Sequence, residues 1–139
     1  MNTVPGIVQS ILEDDLFVRI DIAHSGDLFS ACILHSDNEV PYSKIGTAVN
    51  MIFKEADTII SLKNNEIISC RNRFLSNVVS VVYGKILARV TAVYQGITII
   101  SLVTTESALR INLQANHEIV CMVKSTSMML SSVEQVTNV

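Results

Sequence analysis

The sequence contains little of what catalytic and membrane proteins commonly use. Among its 139 residues there is no Trp, and there are only two Pro and three Cys. No apolar run approaches the roughly 18 residues that a membrane-spanning helix needs. The first ten residues, MNTVPGIVQS, lack the basic start and the long apolar core of a signal peptide. We therefore expect a cytoplasmic protein that does not bind membranes.

The residue types that hold metals or carry out catalysis are scattered rather than clustered. Each cysteine and each histidine stands alone, without the close pairs that zinc and redox motifs require: Cys32, Cys70, Cys121, His24, His35 and His117. The sequence has no Gly-rich phosphate loop, HExxH pattern or recognisable catalytic triad. We expect thiols that are buried as small hydrophobic groups, no metal bound directly by side chains, and no enzymatic activity.

The charge of the chain argues against a nucleic-acid partner. The formal net charge is −3, and only 5% of the residues are aromatic. Binding to a phosphate backbone usually needs a basic patch, and binding to single strands uses exposed aromatic side chains. An oligonucleotide-binding role is therefore disfavoured, but a small anion can still be held at one local cationic site.

What the sequence does contain is an internal repeat of 70 residues. The segment LFVRIDIAHSGDLFSACIL (16–34) overlays ILARVTAVYQGITIISLVT (86–104) without a gap. Identical residues recur at this spacing, among them the pairs Ser10 and Ser80, Arg19 and Arg89, Gly26 and Gly96, and Lys54 and Lys124. We predict two copies of one small unit, residues 1–66 and residues 67–139.

Apolar residues in both copies alternate with the period of β-strands. In the first copy one face carries Leu16, Val18, Ile20 and Ile22, and the other carries Phe17, Arg19, Asp21 and Ala23. Such alternation indicates half-buried strands. One short helix per copy is expected, in the second copy over TESALRIN (105–112), because Thr104 can cap its first amides. We predict an all-β fold of two tandem Greek-key barrels of the OB type, whose small cores pack against each other or against other subunits.

Three segments of the second copy resemble the molybdate-binding Mop domain. They are SCRNRF (69–74), VTTESALRINL (103–113) and VCMVKSTSMML (120–130). The Mop pattern has an S-A-R-N start, a V-T-x-x-S-x-x-x-L-x-L middle and a last strand containing K-A-S. The resemblance covers the whole second copy, and tandem copies standing alone are similar to the two-domain molbindins. The first copy is similar to the divergent Mop copy of molybdate-responsive transcription regulators.

The resemblance implies an oxyanion site at an interface between two Mop domains. Carried over residue by residue, that site consists of Ser69, Arg71, Thr104, Ser107, Lys124 and Ser125. Molybdate or tungstate is the implied ligand. The chemistry agrees, because a tetrahedral dianion needs a guanidinium and an ammonium for charge, and hydroxyls or a helix N-terminus for geometry. KST stands where the family has K-A-S, so that Thr126 is an alternative hydroxyl donor to Ser125, whereas Asn72 is expected to fix the local turn.

The first copy departs from the pattern at the positions that would bind an anion. Under the 70-residue shift Arg71 falls on Met1, so the first copy has no equivalent arginine. Three hydroxyls of the second copy correspond to carboxylates in the first: Ser107 to Asp37, Ser125 to Glu55 and Ser127 to Asp57. Ionised carboxylates cannot donate hydrogen bonds, and they repel a dianion. We predict that Lys54 pairs with these acids and that the first copy serves structure and oligomerisation instead of forming a second site of this kind.

The sequence is thus interpreted as a molbindin-like protein that binds molybdate or tungstate between subunits, for storage, homeostasis or delivery of molybdenum. The alternative is a molybdate-sensing domain that acts on a transporter or a transcription regulator. The sequence does not separate molybdate, tungstate and sulfate. The resemblance implies a homotrimer, with a homodimer left open by the regulator-like first copy. Such a role in molybdenum handling would also bring the protein into contact with proteins of molybdenum cofactor synthesis or molybdate transport.

Overall fold

The computed structural model describes residues 1–35 and 44–133, which form a fold made almost entirely of strands. The described elements, in chain order, are the strands β1 Asn2–Glu13, β2 Phe17–His24, β3 Asp27–Leu34, β4 Ala48–Phe53, β5 Ile59–Ser61, β6 Asn72–Tyr83, β7 Leu87–Tyr94 and β8 Ile97–Thr104, the helix α1 Thr105–Arg110, and the strands β9 Glu118–Val123 and β10 Met129–Ser132. Short 3-10 turns cover Glu55–Asp57 and Ser125–Ser127. In the described part of the chain no helix is long and apolar enough to cross a membrane.

The 70-residue repeat is visible in the strand register. Ile7 of β1 lies opposite Ala23 of β2, and Asn77 of β6 lies opposite Val93 of β7, which is the same pair 70 residues later. The first of these ladders is irregular between Val8 and Ser10, and the second is irregular at the same place, between residues 78 and 80. The same irregularity at corresponding positions shows that both copies build their long hairpin in the same way.

The two glycines conserved between the copies occupy the same tight turn. Ser25 and Gly26 connect β2 to β3 with φ values of 47° and 86°, and Gln95 and Gly96 connect β7 to β8 with 45° and 79°. Two consecutive residues with positive φ are what a two-residue hairpin turn of type I′ requires, and glycine adopts this conformation without steric cost. This requirement explains why the SGD and QGI segments align in the repeat.

The fold class predicted from the sequence is confirmed. The two copies exchange strands, because each sheet contains one strand from the other copy. The first sheet has the order β10-β4-β1-β2-β3, and the second has the order β5-β9-β6-β7-β8. The last strand of each copy therefore pairs with the other copy: Met129 lies opposite Ile52, and Ile59 lies opposite Met122. The proposed units 1–66 and 67–139 interlock, since each five-stranded sheet takes one edge strand from the other unit.

The main hydrophobic core runs through both copies, as the small size of each unit led us to expect, and a small separate cluster contains Cys70, Val120 and Met122. At its centre the ring of Phe74 stacks on Phe29 with centroids 4.5 Å apart, and on Phe53 with centroids 5.2 Å apart. The ring of Tyr94 meets Phe74 edge-on at 5.1 Å. Two aromatic residues come from each copy, so the aromatic cluster stabilises the joined chain rather than either unit alone.

Cysteines are buried as predicted, although not uniformly. Cys70 and Cys121 are buried, and Cys32 is half-buried. Burial raises the pKa of the Cys121 thiol to about 11, which keeps this group neutral at physiological pH. These thiols act as small apolar groups, and the described residues contain no cluster of His, Cys, Asp or Glu that could hold a metal ion.

The predicted alternation of β2 is confirmed for Val18, Ile20 and Ile22, which are all buried, but it is wrong at two positions. Leu16 lies in the hairpin turn before β2 and is 66% exposed. Asp21, on the face expected to be polar and open, is only 5% exposed. The reason is that this face of the first sheet is covered by the second copy, which an alternation pattern does not reveal.

Asn72 does not fix a local turn, so that expectation is wrong. Its side chain is fully buried, and its amide group accepts a hydrogen bond from the backbone N–H of Ser30 at 2.8 Å and donates to the carbonyl of the same residue at 2.9 Å. Its counterpart Asn2 makes the same pair of bonds to Ile100, both at 2.8 Å. Each asparagine therefore binds the edge strand of the other copy, and its amide group takes the place of a neighbouring strand as hydrogen-bond partner. We call this pair of hydrogen bonds a clamp.

Replacing Asn72 by alanine should destabilise the whole protein, because the substitution leaves the N–H and the carbonyl of Ser30 buried without partners. We expect a loss of about 2–4 kcal/mol in the free energy of unfolding, measured by chemical denaturation. The exposed Asn64 provides the control, and its replacement by alanine should change the stability by less than about 0.5 kcal/mol. Equal stability of the two variants would show that the clamp is not needed.

Candidate oxyanion site

Four of the six residues predicted from the sequence lie around one cavity. The strands β6 and β9 are antiparallel neighbours, with Asn72 opposite Val123, so the residues before β6 meet the residues after β9. The cavity has a volume of about 430 Å³ and is lined by Glu66, Ile68, Ser69, Cys70, Arg71, Arg73, Lys124, Ser125 and Thr126. Strand pairing thus places the S-x-R-N segment beside the lysine of the last motif.

Positive charge predominates at this cavity. Arg71, Arg73 and Lys124 contribute three cations, and Glu66 is the only carboxylate among the lining residues. Arg73 was not among the predicted site residues. Side chains two residues apart on a strand share a face, so the alternation R-N-R was the signal for it. In the structure the Arg73 guanidinium donates to the backbone carbonyl of Asn65 at 3.3 Å.

The hydroxyl group of Ser125 is already in contact with the first copy. Its Oγ lies 2.5 Å from Oγ of Ser30, and either oxygen can be the donor. When Ser30 donates, the proton of Ser125 stays free for a ligand. Ser125 also begins a 3-10 turn, whose first amides have no acceptor within the turn. Thr126 lines the same cavity, so both hydroxyl donors considered from the sequence are placed there.

Cys70 stands between Ser69 and Arg71 in the wall of the cavity, and its thiol is neutral there. Burial raises the pKa of this thiol, and the backbone hydrogen bond with Asn72 and the charges of Arg73 and Lys124 offset the effect only in part. A thiolate at this position would repel an anion. The neutral thiol instead closes the wall as an apolar group, in the position where the Mop pattern has alanine.

The remaining two predicted residues, Thr104 and Ser107, lie in a different cavity. This second cavity has a volume of about 330 Å³ and is also lined by Thr58 and Arg110. Thr104 Oγ1 accepts a hydrogen bond from the backbone N–H of Ser107 at 3.1 Å and donates to Ser107 Oγ at 2.8 Å, which caps the predicted helix. One chain therefore does not bring all six residues together.

The corresponding turn of the first copy is arranged differently. Glu55 accepts a hydrogen bond from the amino group of Met1 at 2.7 Å, and this bond lowers the pKa of the Glu55 carboxyl. Lys54 is exposed and forms no ion pair with any described residue, so the predicted pairing with Glu55 and Asp57 is wrong. Asp37, the third acid considered, lies outside the described residues. An ionised Glu55 cannot donate a hydrogen bond to an anion.

Comparison with solved structures reveals the same fold. The cytoplasmic molybdate-binding protein ModG, in a crystal form with molybdate bound, superposes on this chain with a TM-score of 0.87 and 22% sequence identity. The superposition covers 95% of this chain and 96% of that chain. A molybdate-binding protein from Sporomusa ovata matches 47% of this chain and 97% of its own length, with 26% identity and a TM-score of 0.46.

No protein-family model and no curated protein matches the sequence. At 22% identity the likeness to ModG concerns the fold, and it extends over both copies and nearly the full length of each chain. The Mop resemblance of the second copy is thereby confirmed at the level of the fold: this chain is folded as the molybdate-binding protein ModG is.

Proposed function

We propose that this chain binds molybdate or tungstate as an intact oxyanion in the cytoplasm, and that it stores, buffers or delivers molybdenum. The observation that carries this proposal is the cavity where Ser69, Arg71, Lys124 and Ser125 meet. The shared fold with ModG, which is described as a cytoplasmic molybdate-binding protein, supports the same ligand. No bond is made or broken in this function.

The composition of the cavity suits a tetrahedral dianion. A guanidinium offers a fork of N–H donors, and an ammonium adds a compact charge, while hydroxyls supply donors whose direction can adjust. Arg71 and Lys124 provide the first two groups, and Ser69 with Ser125 provide the third.

We further propose that a neighbouring subunit completes the site with Thr104 and Ser107. These residues lie in a separate cavity of the same chain, so a site containing all six residues needs two chains. Exposed apolar side chains at the ends of the long hairpins support self-association. They are Leu12, Leu16 and Phe17 on the first copy, and Val82, Ile86 and Leu87 on the second. A homotrimer is the assembly that we propose first, and a homodimer is the alternative.

Replacing Arg71 by alanine should remove most of the affinity for molybdate. The substitution deletes a cation and several charge-assisted hydrogen bonds, each of which is worth about 1.5–3 kcal/mol. We expect the dissociation constant measured by calorimetry to rise by about 100-fold or more. The same titration with tungstate and sulfate gives the selectivity of the site.

The matched control is Lys54→Ala, which removes a cation at the position that the repeat aligns with Lys124. Because the carboxylates Glu55 and Asp57 follow Lys54 closely in the chain and would repel an anion, we expect this variant to bind molybdate within about twofold of the unchanged protein. Loss of affinity in Lys54→Ala together with full affinity in Arg71→Ala would place the site in the first copy and would contradict the proposal.

Placing a charge at a hairpin end should weaken the assembly and the site together. Ile86 is 74% exposed in the single chain, so Ile86→Asp should leave the fold intact, while burying an aspartate in a subunit interface is unfavourable. Light scattering should show a lower mass than for the unchanged protein, and molybdate affinity should fall at least about tenfold. The control is Lys85→Ala at the neighbouring exposed position. An Ile86→Asp monomer that binds molybdate normally would contradict a shared site.

A further inference from the structure

A buried carboxylate of the first copy faces the arginine of the oxyanion site. Asp21 lies on β2, its side chain is only 7% exposed, and its Oδ1 atom is 4.0 Å from Nη2 of Arg71. The two residues are brought together by the clamp next to Arg71, in which Asn72 binds Ser30, the residue opposite Asp21 in the β2–β3 ladder. The contact therefore follows from the packing of one copy on the other.

The Oδ1 atom of Asp21 has unused capacity to accept hydrogen bonds. Its other oxygen, Oδ2, accepts a hydrogen bond from Ser10 Oγ at 2.7 Å and a longer one from Arg19 Nη2 at 3.5 Å. Arg19 Nε forms an ion pair with Oδ1 at 3.3 Å without hydrogen-bond geometry, so that Oδ1 is buried with no hydrogen-bond partner in the described residues. A buried carboxylate oxygen without a partner is unusual and favours the approach of a further donor.

Arg71 is a further donor close to this oxygen, and its side chain is partly exposed. The distance of 4.0 Å is longer than a hydrogen bond, and 44% of the side chain is exposed. The side chain borders the cavity that contains Lys124, and it also borders a third cavity, of about 290 Å³, which is lined by Asp27 and Leu28 of the first copy. The guanidinium thus lies between the anion cavity and the first copy.

The repeat shows that this carboxylate occurs only where it faces an arginine. Ser10 and Arg19, which bind Asp21, are retained in the second copy as serine and arginine, but Thr91 stands at the position of Asp21. The residue that corresponds to Arg71 in the first copy is Met1, which has no cationic side chain. The two charged groups therefore differ between the copies together, although the serine and the arginine that bind Asp21 are kept.

We propose that Asp21 competes with the bound oxyanion for Arg71 and thereby limits the affinity of the site, an inference that rests on the function proposed above. In the empty site the guanidinium interacts with the carboxylate of Asp21. When the anion binds, the guanidinium turns its donors towards the anion, and the interaction with Asp21 weakens. Asp21 is thus a positioning residue of the first copy, which would otherwise serve only structure and assembly.

The test is the variant Asp21→Asn, which removes the charge and keeps the size and an acceptor oxygen for Ser10. Its affinity for molybdate, measured by calorimetry, should be roughly three- to tenfold higher than that of the unchanged protein. The gain should disappear in the Arg71→Ala background, where both proteins should bind equally weakly within about twofold. Asp15→Asn, at an exposed position of the β1–β2 turn, makes the same change in net charge and should alter affinity by less than about twofold.

The outcomes separate this inference from the function on which it rests. If the unchanged protein binds molybdate and Asp21→Asn binds it equally or more weakly, the competition is refuted and the proposed function stands. If Asp21→Asn raises the affinity by the same factor in the Arg71→Ala background, the gain comes from the loss of a negative charge and not from Arg71. This result would also refute the competition. If none of the proteins binds molybdate, tungstate or sulfate, both proposals fall. If Asp21→Asn folds poorly, Asp21→Thr replaces it, because threonine stands at this position in the second copy. The same gain in molybdate affinity is then expected, and the same outcomes would refute the competition.

Discussion

Each sheet of this protein is closed at one edge by a strand from the other copy, and the remaining structure depends on that exchange. With β5 on the second sheet and β10 on the first, the copies cannot separate without breaking both ladders. The shared aromatic core and the two asparagine clamps form at the surfaces that the exchange brings together. Two units of marginal size thus obtain one core of ordinary size.

The same exchange determines where the site can form. It turns the start of β6 and the end of β9 towards the first copy, so that Ser125 meets Ser30 and Arg71 meets Asp21. The proposed site in the second copy is therefore built against residues of the first copy within the same chain. Each copy thus supplies part of the surroundings of the other. If only the second copy binds an anion, as we propose, the two copies are expected to diverge at these positions.

The sequence predicted the features that are local or periodic, and it missed those that depend on what covers a face. The repeat, the strands, the helix capped by Thr104 and the meeting of Arg71 with Lys124 all follow from spacing or from the Mop resemblance. The exchange of β5 and β10 does not, because a strand has the same pattern whichever copy it pairs with. For the same reason alternation placed Asp21 on an outer face without showing that Arg71 lies over it.

The most direct test of this account is to locate the bound anion in crystals grown with tungstate, using anomalous diffraction from tungsten. The account predicts a peak within hydrogen-bond distance of Arg71 and Lys124, with Thr104 and Ser107 of a neighbouring subunit on its far side and no peak beside Lys54. A peak beside Lys54, or a bound anion out of reach of Arg71, would contradict it.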